Sequence, residues 1–376
     1  QTTEIKWDAE AAEKGGYEHF MMKEIHEQPK AILDTMNSKI KDGRIDLSDM
    51  GLSEEDIKNI SQVFIVACGS AYHTGVVTQY VMEDLARIPV RVELASEFRY
   101  RRPILNKNDL VIVVSQSGET ADTLAGLRLA KEQGVKTLGI VNVVGSSIAR
   151  EADNVFYTLA GPEIAVASTK AYSVQMAAMY LIGCRLGLVK GIYSEDRAKE
   201  FIGKLLGTIP VIEETLLQAD EVKAVANYIK MAPDAFFIGR GMDYTLSLEG
   251  ALKLKEISYV HAEAYAAGEL KHGTIALITE NVPVIALATQ PAVYEKMVSN
   301  IREVKARGAY VILISMGDEV TDTQICDKHI RIPKQDSLFT VFAAAVILQL
   351  IAYYTSDAKG LDVDKPRNLA KSVTVE

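Results

Sequence analysis

Apolar positions along the chain fall into two alternating kinds of segment. Runs such as Val63–Cys68, Leu110–Val114 and Thr137–Val141 are short, rich in β-branched residues and apolar end to end, as strands buried on both faces are. Between them lie stretches with helical spacing, such as Ala121–Gln133, which closes on Gly134. Strands alternating with helices imply βαβ units, and hence a parallel sheet with helices on both faces.

The pattern then recurs as a diverged internal repeat. Val63–Cys68 and Gly69 are matched by Ala235–Ile238 and Gly239-Arg240-Gly241. Gly69 aligns with Gly241, and Glu97 with Glu269, at one constant offset. Leu110–Val114 is matched by Val282–Leu287, Ser115-Gln116 by Thr289-Gln290, and Ala121–Gln133 by Val293–Arg307. The fold class is therefore α/β, with two doubly wound parallel-sheet domains at 45–195 and 222–360. Residues 1–44 form a leading segment whose helix is expected over Tyr17–Asn37. The linker 196–221 lies in a helical stretch, Tyr193–Met231, broken at Pro210. The tail 361–376 has turn chemistry in Asp364-Lys365-Pro366 but no periodic pattern, so it is either disordered or laid over something.

Composition changes this picture little: 48% hydrophobic and 24% charged is ordinary for globular domains. A net charge of −9 argues against general affinity for nucleic acid or an anionic membrane. It leaves room for an anionic small molecule, because helix N-termini bind phosphate without net positive charge. Three scattered cysteines, Cys68, Cys184 and Cys326, with no CxxC pair suit a reduced, cytoplasmic protein. The apolar run Val341–Tyr354 is too short to span a bilayer, which leaves a buried or subunit-interface helix. Gln1–Lys14 is polar and mixed in charge, unlike a signal peptide, and a start at Gln1 suggests a fragment of something longer.

Candidate chemistry concentrates in four places. Ser115-Gln116-Ser117-Gly118-Glu119-Thr120 sits between a buried strand and a helix start, where open parallel sheets bind ligands. Its hydroxyls, its glycine and the helix N-terminus suit a phosphate better than capping alone does, because the second copy lacks the Ser/Thr cluster. Ala167-Ser168-Thr169-Lys170 is a weaker hydroxyl cluster able to close the site from the neighbouring strand end. Glu249, Lys253 and Glu256 fall at i, i+4 and i+7 of a helix over Thr245–Ser258. Such a stripe is ordinarily a solvated ladder, but the surrounding Leu248, Ala251, Leu252, Leu254 and Ile257 suit carboxylates in a partly desolvated pocket. His272 lies in a loop beside Gly273 and is a modest acid/base candidate, whereas His261, on a helical stretch, reads as structural. No metal-ligand spacing, GxGxxG or Walker loop points to a metal or nucleotide cofactor.

These segments, with Glu163–Lys170, Leu248–Ser258, His261–Gly273 and Asp364–Glu376, resemble the isomerase half of glutamine–fructose-6-phosphate aminotransferases, which carries paired sugar isomerase (SIS) domains. Ser-Gln-Ser-Gly-Glu-Thr is shared by many SIS proteins, but the ending Pro366–Glu376 is far more specific. The resemblance implies conversion of fructose 6-phosphate and ammonia to glucosamine 6-phosphate, or isomerisation to glucose 6-phosphate. By position it implies phosphate binding by Ser115, Gln116, Ser117 and Thr120, and sugar contacts from Val166, Ser168 and Ala370. It makes Glu256 the carboxylate that moves the proton between C1 and C2, and Lys371 the Schiff-base lysine. His272 becomes the ring-opening histidine supplied by the other subunit of a homodimer, with Glu249, Lys253 and Arg367 in support. A glutaminase domain, to which nothing here corresponds, would be the ammonia donor. The first loop departs from the family's Cys-Gly-Thr-Ser: Cys68-Gly69-Ser70-Ala71 lacks a hydroxyl at position 71.

Two other functions remain open on sequence. One is another SIS enzyme, such as a glucosamine-6-phosphate deaminase or a fructosamine-phosphate deglycase. The other is a non-catalytic sugar-phosphate sensor, which needs the Ser/Thr loop but neither Glu256 nor Lys371.

Overall fold

A computed structural model describes residues 13–317 and 324–375, so Gln1–Ala12 of the leading segment and the last residue of the tail lie outside the described residues. The expected helix over Tyr17–Asn37 is two helices, α1 (Phe20–His26) and α2 (Gln28–Asn37), with Pro29 in the first turn of α2. That turn tolerates proline because its N–H groups have no intrahelical acceptor. A hairpin of β1 (Ile40–Lys41) and β2 (Arg44–Ile45) and a capped helix α3 (Glu54–Asn59) lead to the first sheet.

That sheet contains β3 (Gln62–Ala67), β4 (Val90–Leu94), β5 (Asp109–Ser115), β6 (Lys136–Val141) and β7 (Asn154–Tyr157), connected through α4 (Gly69–Ala86), α5 (Ala95–Tyr100), α6 (Ala121–Glu132) and α7 (Ser147–Glu151), with α8 (Lys170–Val189) following. All its pairings are parallel, in the order β4-β3-β5-β6-β7. Three helices come next, α9 (Glu195–Leu206), α10 (Thr208–Leu216) and α11 (Ala219–Ile229). The break expected at Pro210 therefore falls at Gly207, and Pro210 sits in the first turn of α10. The second sheet holds β8 (Asp234–Gly239), β9 (His261–Ala266), β10 (Pro283–Ala288), β11 (Tyr310–Met316) and β12 (Lys328–Ile332), with α12 (Met242–Ser258), α13 (Tyr294–Lys305) and α14 (Thr340–Ala358). Its order, β9-β8-β10-β11-β12, is the order of the first sheet, strand for strand. Two doubly wound α/β domains related by a repeat are the observed architecture.

The central strands β5 and β10 are buried along their whole length, which is why they read as continuous apolar runs. Each sheet packs an outer face on its own small core, while the inner faces share one. In that shared core α4 lies against α8, α12 against α14, and α4 also touches α12, so the two repeats meet through helices. Every residue from Thr340 to Tyr353 is buried within this one chain. Val341–Tyr354 thus needs no second subunit to cover it, and its apolarity no longer argues for a dimer. By length and composition, Lys170–Val189 and Ser337–Ala358 could each span a bilayer, but both are mostly buried inside the fold and are core helices.

Candidate active site

In an open parallel sheet the ligand crevice opens where successive connections leave in opposite directions, beyond the carboxyl ends of the strands. In the first sheet the chain leaves β3 toward β4 on one side and β5 toward β6 on the other, so the crevice lies between β3 and β5. A cavity of about 260 Å³ occupies it, lined by Cys68–Ala71 after β3, Ser115–Ser117 and Thr120 after β5, Lys253 and Glu256 from α12, and Leu369–Val373 from the tail. A larger cavity of about 650 Å³, lined by Tyr228, Met231, Pro233 and Leu277 among others, lies at the opposite, amino-terminal end of β8 and β10. The candidate residues read from the sequence converge on the smaller one.

The hydroxyl loop is drawn tight by its own bonds. Ser115 Oγ lies 2.9 Å from Thr120 Oγ1 and accepts the Gly118 N–H at 3.0 Å, while Ser117 Oγ accepts the Glu119 N–H at 3.2 Å. Gly118 has φ +68°, and a Cβ there would stand 2.1 Å from Ser146 Oγ, so only glycine fits. The loop delivers its hydroxyls to the N-terminus of α6 at Ala121. In the second repeat the equivalent crevice is filled by protein. The Asp243 carboxylate, at the position matching Ala71, accepts the Thr289 N–H at 2.6 Å and the Thr289 hydroxyl at 2.5 Å. Burial pushes that carboxyl up to about 6, against the Thr289 and Gln290 bonds that lower it. One copy of the loop faces a cavity and the other already holds an anion.

Helix α12 carries the charged stripe across from the second domain. Lys253 Nζ sits 2.6 Å from Glu256 Oε2 and 3.4 Å from Glu249 Oε1. Lys253 and Glu249 are almost wholly buried, whereas the Glu256 side chain is 21% exposed toward the cavity. Burial works against the Lys253 charge, but Glu249 and Glu256 outweigh it and hold the ammonium more firmly than usual. Burial likewise opposes the Glu249 charge, and Lys253, His73 and Ser70 overcome it to lower its pKa. The stripe is a desolvated charge network, not a solvated ladder.

The tail is laid over the site. Asp364 accepts the Phe20 and Met21 N–H groups at 2.9 Å each, anchoring the tail to the start of α1, and its carbonyl accepts the Val166 N–H at 3.0 Å. Farther along, Val373 O accepts the Ala121 N–H at 3.1 Å and Ser372 Oγ lies 3.0 Å from Ser117 Oγ. Between these contacts Lys371 Nζ donates to the Glu163 carboxylate and to Ala165 O at 2.9 Å. Burial works against the Glu163 charge, but Lys371 and the Thr169 and Ala171 amides keep it below the usual carboxylate range. Behind it Glu24 accepts the Ile164 N–H at 2.6 Å through Oε1, while its buried Oε2 has no partner. Burial, and then the neighbouring Glu163 charge, push the Glu24 carboxyl up to about 8.

A carboxyl raised by folding binds its proton more tightly in the folded than in the unfolded state. Its stabilising contribution is complete at low pH and is lost as pH rises from the ordinary carboxyl range through about 8. Glu24→Gln, a permanently neutral isostere, should therefore flatten the fall in Tm between about pH 5 and 8. A Tm profile parallel to that of the parent chain would show that Glu24 is not the group responsible.

The cavity gathers Ser115, Gln116, Ser117, Thr120, Val166, Ser168, Ala370, Lys371, Lys253 and Glu256, with Glu249 behind Lys253. Two expected residues stay outside. His272 ends a short 3-10 helix, Ala267–His272, and is exposed away from the cavity of its own chain. Arg367 lies with its guanidinium 4.1 Å over the Tyr259 ring and is exposed. His261, expected on a helical stretch, opens strand β9 and pairs with Asp234 at 2.7 Å. Ala71 does line the cavity without a hydroxyl, and the neighbouring Ser70 hydroxyl is spent on Glu249 at 2.8 Å. Glu163, Glu24 and His73 were not among the candidates read from the sequence, and no spacing singles them out, since each meets its partner across the fold.

A family profile described as SIS domain matches residues 56–184 and 228–356. Glutamine–fructose-6-phosphate aminotransferases (isomerizing) from Caldanaerobacter subterraneus and Clostridium acetobutylicum are each 55% identical to this chain over 99% of its length. The chain spans only 62% and 61% of those two relatives. Among solved structures, the C-terminal domain of glucosamine-fructose-6-phosphate aminotransferase from Francisella tularensis superposes with a TM-score of 0.90 at 37% identity, covering 94% of this chain and all of that one. A glucosamine-6-phosphate deaminase from Thermotoga maritima, at 22% identity and a TM-score of 0.71, shares the fold.

Proposed function

Because the chain belongs to the SIS domain family, we propose that it is the isomerase part of a glutamine–fructose-6-phosphate aminotransferase, binding fructose 6-phosphate and turning it into glucosamine 6-phosphate. The supporting observation is a single cavity in which a hydroxyl loop, a carboxylate and a tail lysine from three distant parts of the sequence converge. Fructose 6-phosphate and ammonia give glucosamine 6-phosphate and water, with no net oxidation. The phosphate sits among Ser115, Ser117 and Thr120 at the start of α6, which supplies binding energy remote from the reacting carbons. Lys371 attacks C2 of the open-chain ketose and forms an imine with loss of water; ammonia then displaces the lysine, and the C2 imine it leaves acidifies the C1 hydrogens. The lysine must lose a proton before it attacks. Glu256 moves a proton between C1 and C2, held in place by its ion pair with Lys253. Val166, Ser168, Gln116 and Ala370 hold the sugar, and Glu249 and Arg367 act in support. In a full-length protein a glutaminase domain supplies the ammonia.

The reading is tested by following glucose 6-phosphate and glucosamine 6-phosphate formed from fructose 6-phosphate, with and without ammonium. Absence of both products, together with tight sugar-phosphate binding and no borohydride-reducible lysine adduct, would make the chain a sensor instead.

His272 completes the site from a partner chain in a homodimer. Its exposure outside its own cavity supports this assignment, as does the matching family position. Inactive His272→Ala and inactive Glu256→Gln chains, mixed, should regain part of the activity, since a mixed dimer holds one site with both defects and one with neither. Mixed dimers that form by mass yet stay inactive would remove His272 from the partner's site.

A further inference from the structure

Glu249 and Glu256 compete for one ammonium. Lys253 stands 2.6 Å from Glu256 and 3.4 Å from Glu249, although Glu249 is the more deeply buried and should attract it more strongly in a drier environment. What balances the competition comes from the other domain. On α4, Ser70 and His73 are three residues apart and share a helix face. The Ser70 hydroxyl donates to Glu249 Oε1 at 2.8 Å, and His73 Nδ1 lies 2.8 Å from Oε2. A carboxylate only accepts, so Nδ1 carries the proton and donates it. Both oxygens of a buried carboxylate are thereby satisfied without Lys253, which leaves the ammonium to settle on Glu256.

We propose that His73 is a positioning residue for the C1–C2 proton transfer: by holding Glu249 across the domain junction, it directs Lys253 onto Glu256. The proposal rests on the reading of Glu256 as the base. His73 does not line the cavity and touches no substrate; it acts through Glu249 and Lys253. Without it, Oε2 of Glu249 is left buried and unpaired, a costly state that Lys253 relieves by moving toward Glu249. Glu256 then loses both its fixed geometry and the cation beside it. The same link joins α4, whose first residues line the sugar cavity, to the catalytic helix α12.

Three substitutions separate this role from packing. His73→Ala removes ring and donor. His73→Phe keeps a ring but no donor. His73→Asn loses the ring but places an amide N–H close to where Nδ1 stood. Steady-state conversion of fructose 6-phosphate to glucose 6-phosphate, with folding checked by circular dichroism, should show kcat about tenfold or more lower in His73→Ala and His73→Phe. KM should stay within about twofold, and His73→Asn should recover most of the rate. An unchanged kcat in His73→Ala overturns the proposal, as does a loss confined to KM. An active His73→Phe beside an inactive His73→Asn makes the role one of packing and also overturns it. Glu256→Gln assayed in parallel distinguishes the two levels: if it stays active, the base reading fails; if it is inactive while His73→Ala is normal, only the role of His73 fails.

Discussion

Glu256→Gln is expected to leave a folded chain that binds fructose 6-phosphate yet exchanges its C1 proton with solvent about 10²–10⁴-fold more slowly, the usual range for removing a general base. The substitution is conservative where stability is concerned. A glutamine oxygen can still accept the Lys253 bond that Glu256 Oε2 accepts at 2.6 Å, and Lys253 keeps its ion pair with Glu249. What disappears is the basic lone pair facing the cavity. Binding should change little, because the proposed phosphate contacts lie on α6 and its loop, in the other domain. Deuterium incorporation at C1, followed by NMR, measures the step directly and does not depend on product release. Exchange at the parental rate would place the base elsewhere, and Glu163 would become the next carboxylate to test.

The sequence made the sheets legible because their strands are buried on both faces, so β5 and β10 are written as unbroken apolar runs. The repeat was legible for the same reason, and the matching strand orders bear it out. Three features were hidden, each by tertiary structure. His261–Ala266 is alanine-rich and reads as helical, yet β8 pairs with it residue for residue from Asp234↔His261 to Gly239↔Ala266, and pairing overrides propensity. α14 is apolar all round, which says that it is buried but not by which chain; here its own chain covers it.

The third was the wall behind Lys371. Glu163 meets that lysine across 208 positions of sequence, and Glu24 meets the Glu163 segment across 140. A lone glutamate on a leading helix carries no periodic signal for such a contact. The tail has no core of its own; Val363 is buried in the shared core, and the rest is held by caps it provides to others: Asp364 on α1, and the Val373 carbonyl on α6.

That dependence gives the tail lysine the second large expected effect. Lys371→Arg keeps the positive charge and improves its geometry for Glu163, since a guanidinium can pair with a carboxylate in two-point fashion. The tail should therefore stay docked, with Ser372 still near Ser117 and Val373 still capping α6. A guanidinium remains protonated at neutral pH and is not an amine nucleophile, so no imine forms at C2. The expected result is loss of the borohydride-trapped adduct with fructose 6-phosphate and a fall in turnover of about 10²-fold or more, with sugar-phosphate binding largely retained. Lys371→Ala should be worse in a distinguishable way. It leaves Glu163, wholly buried and ionised, without its ammonium, and removing one partner of a buried pair costs about 3–5 kcal/mol. Tm should fall in the alanine variant and hold in the arginine variant while both lose the adduct. If the arginine variant still gives a reducible adduct, peptide mapping will find it on another lysine, and the cavity's Lys253 is then the first candidate.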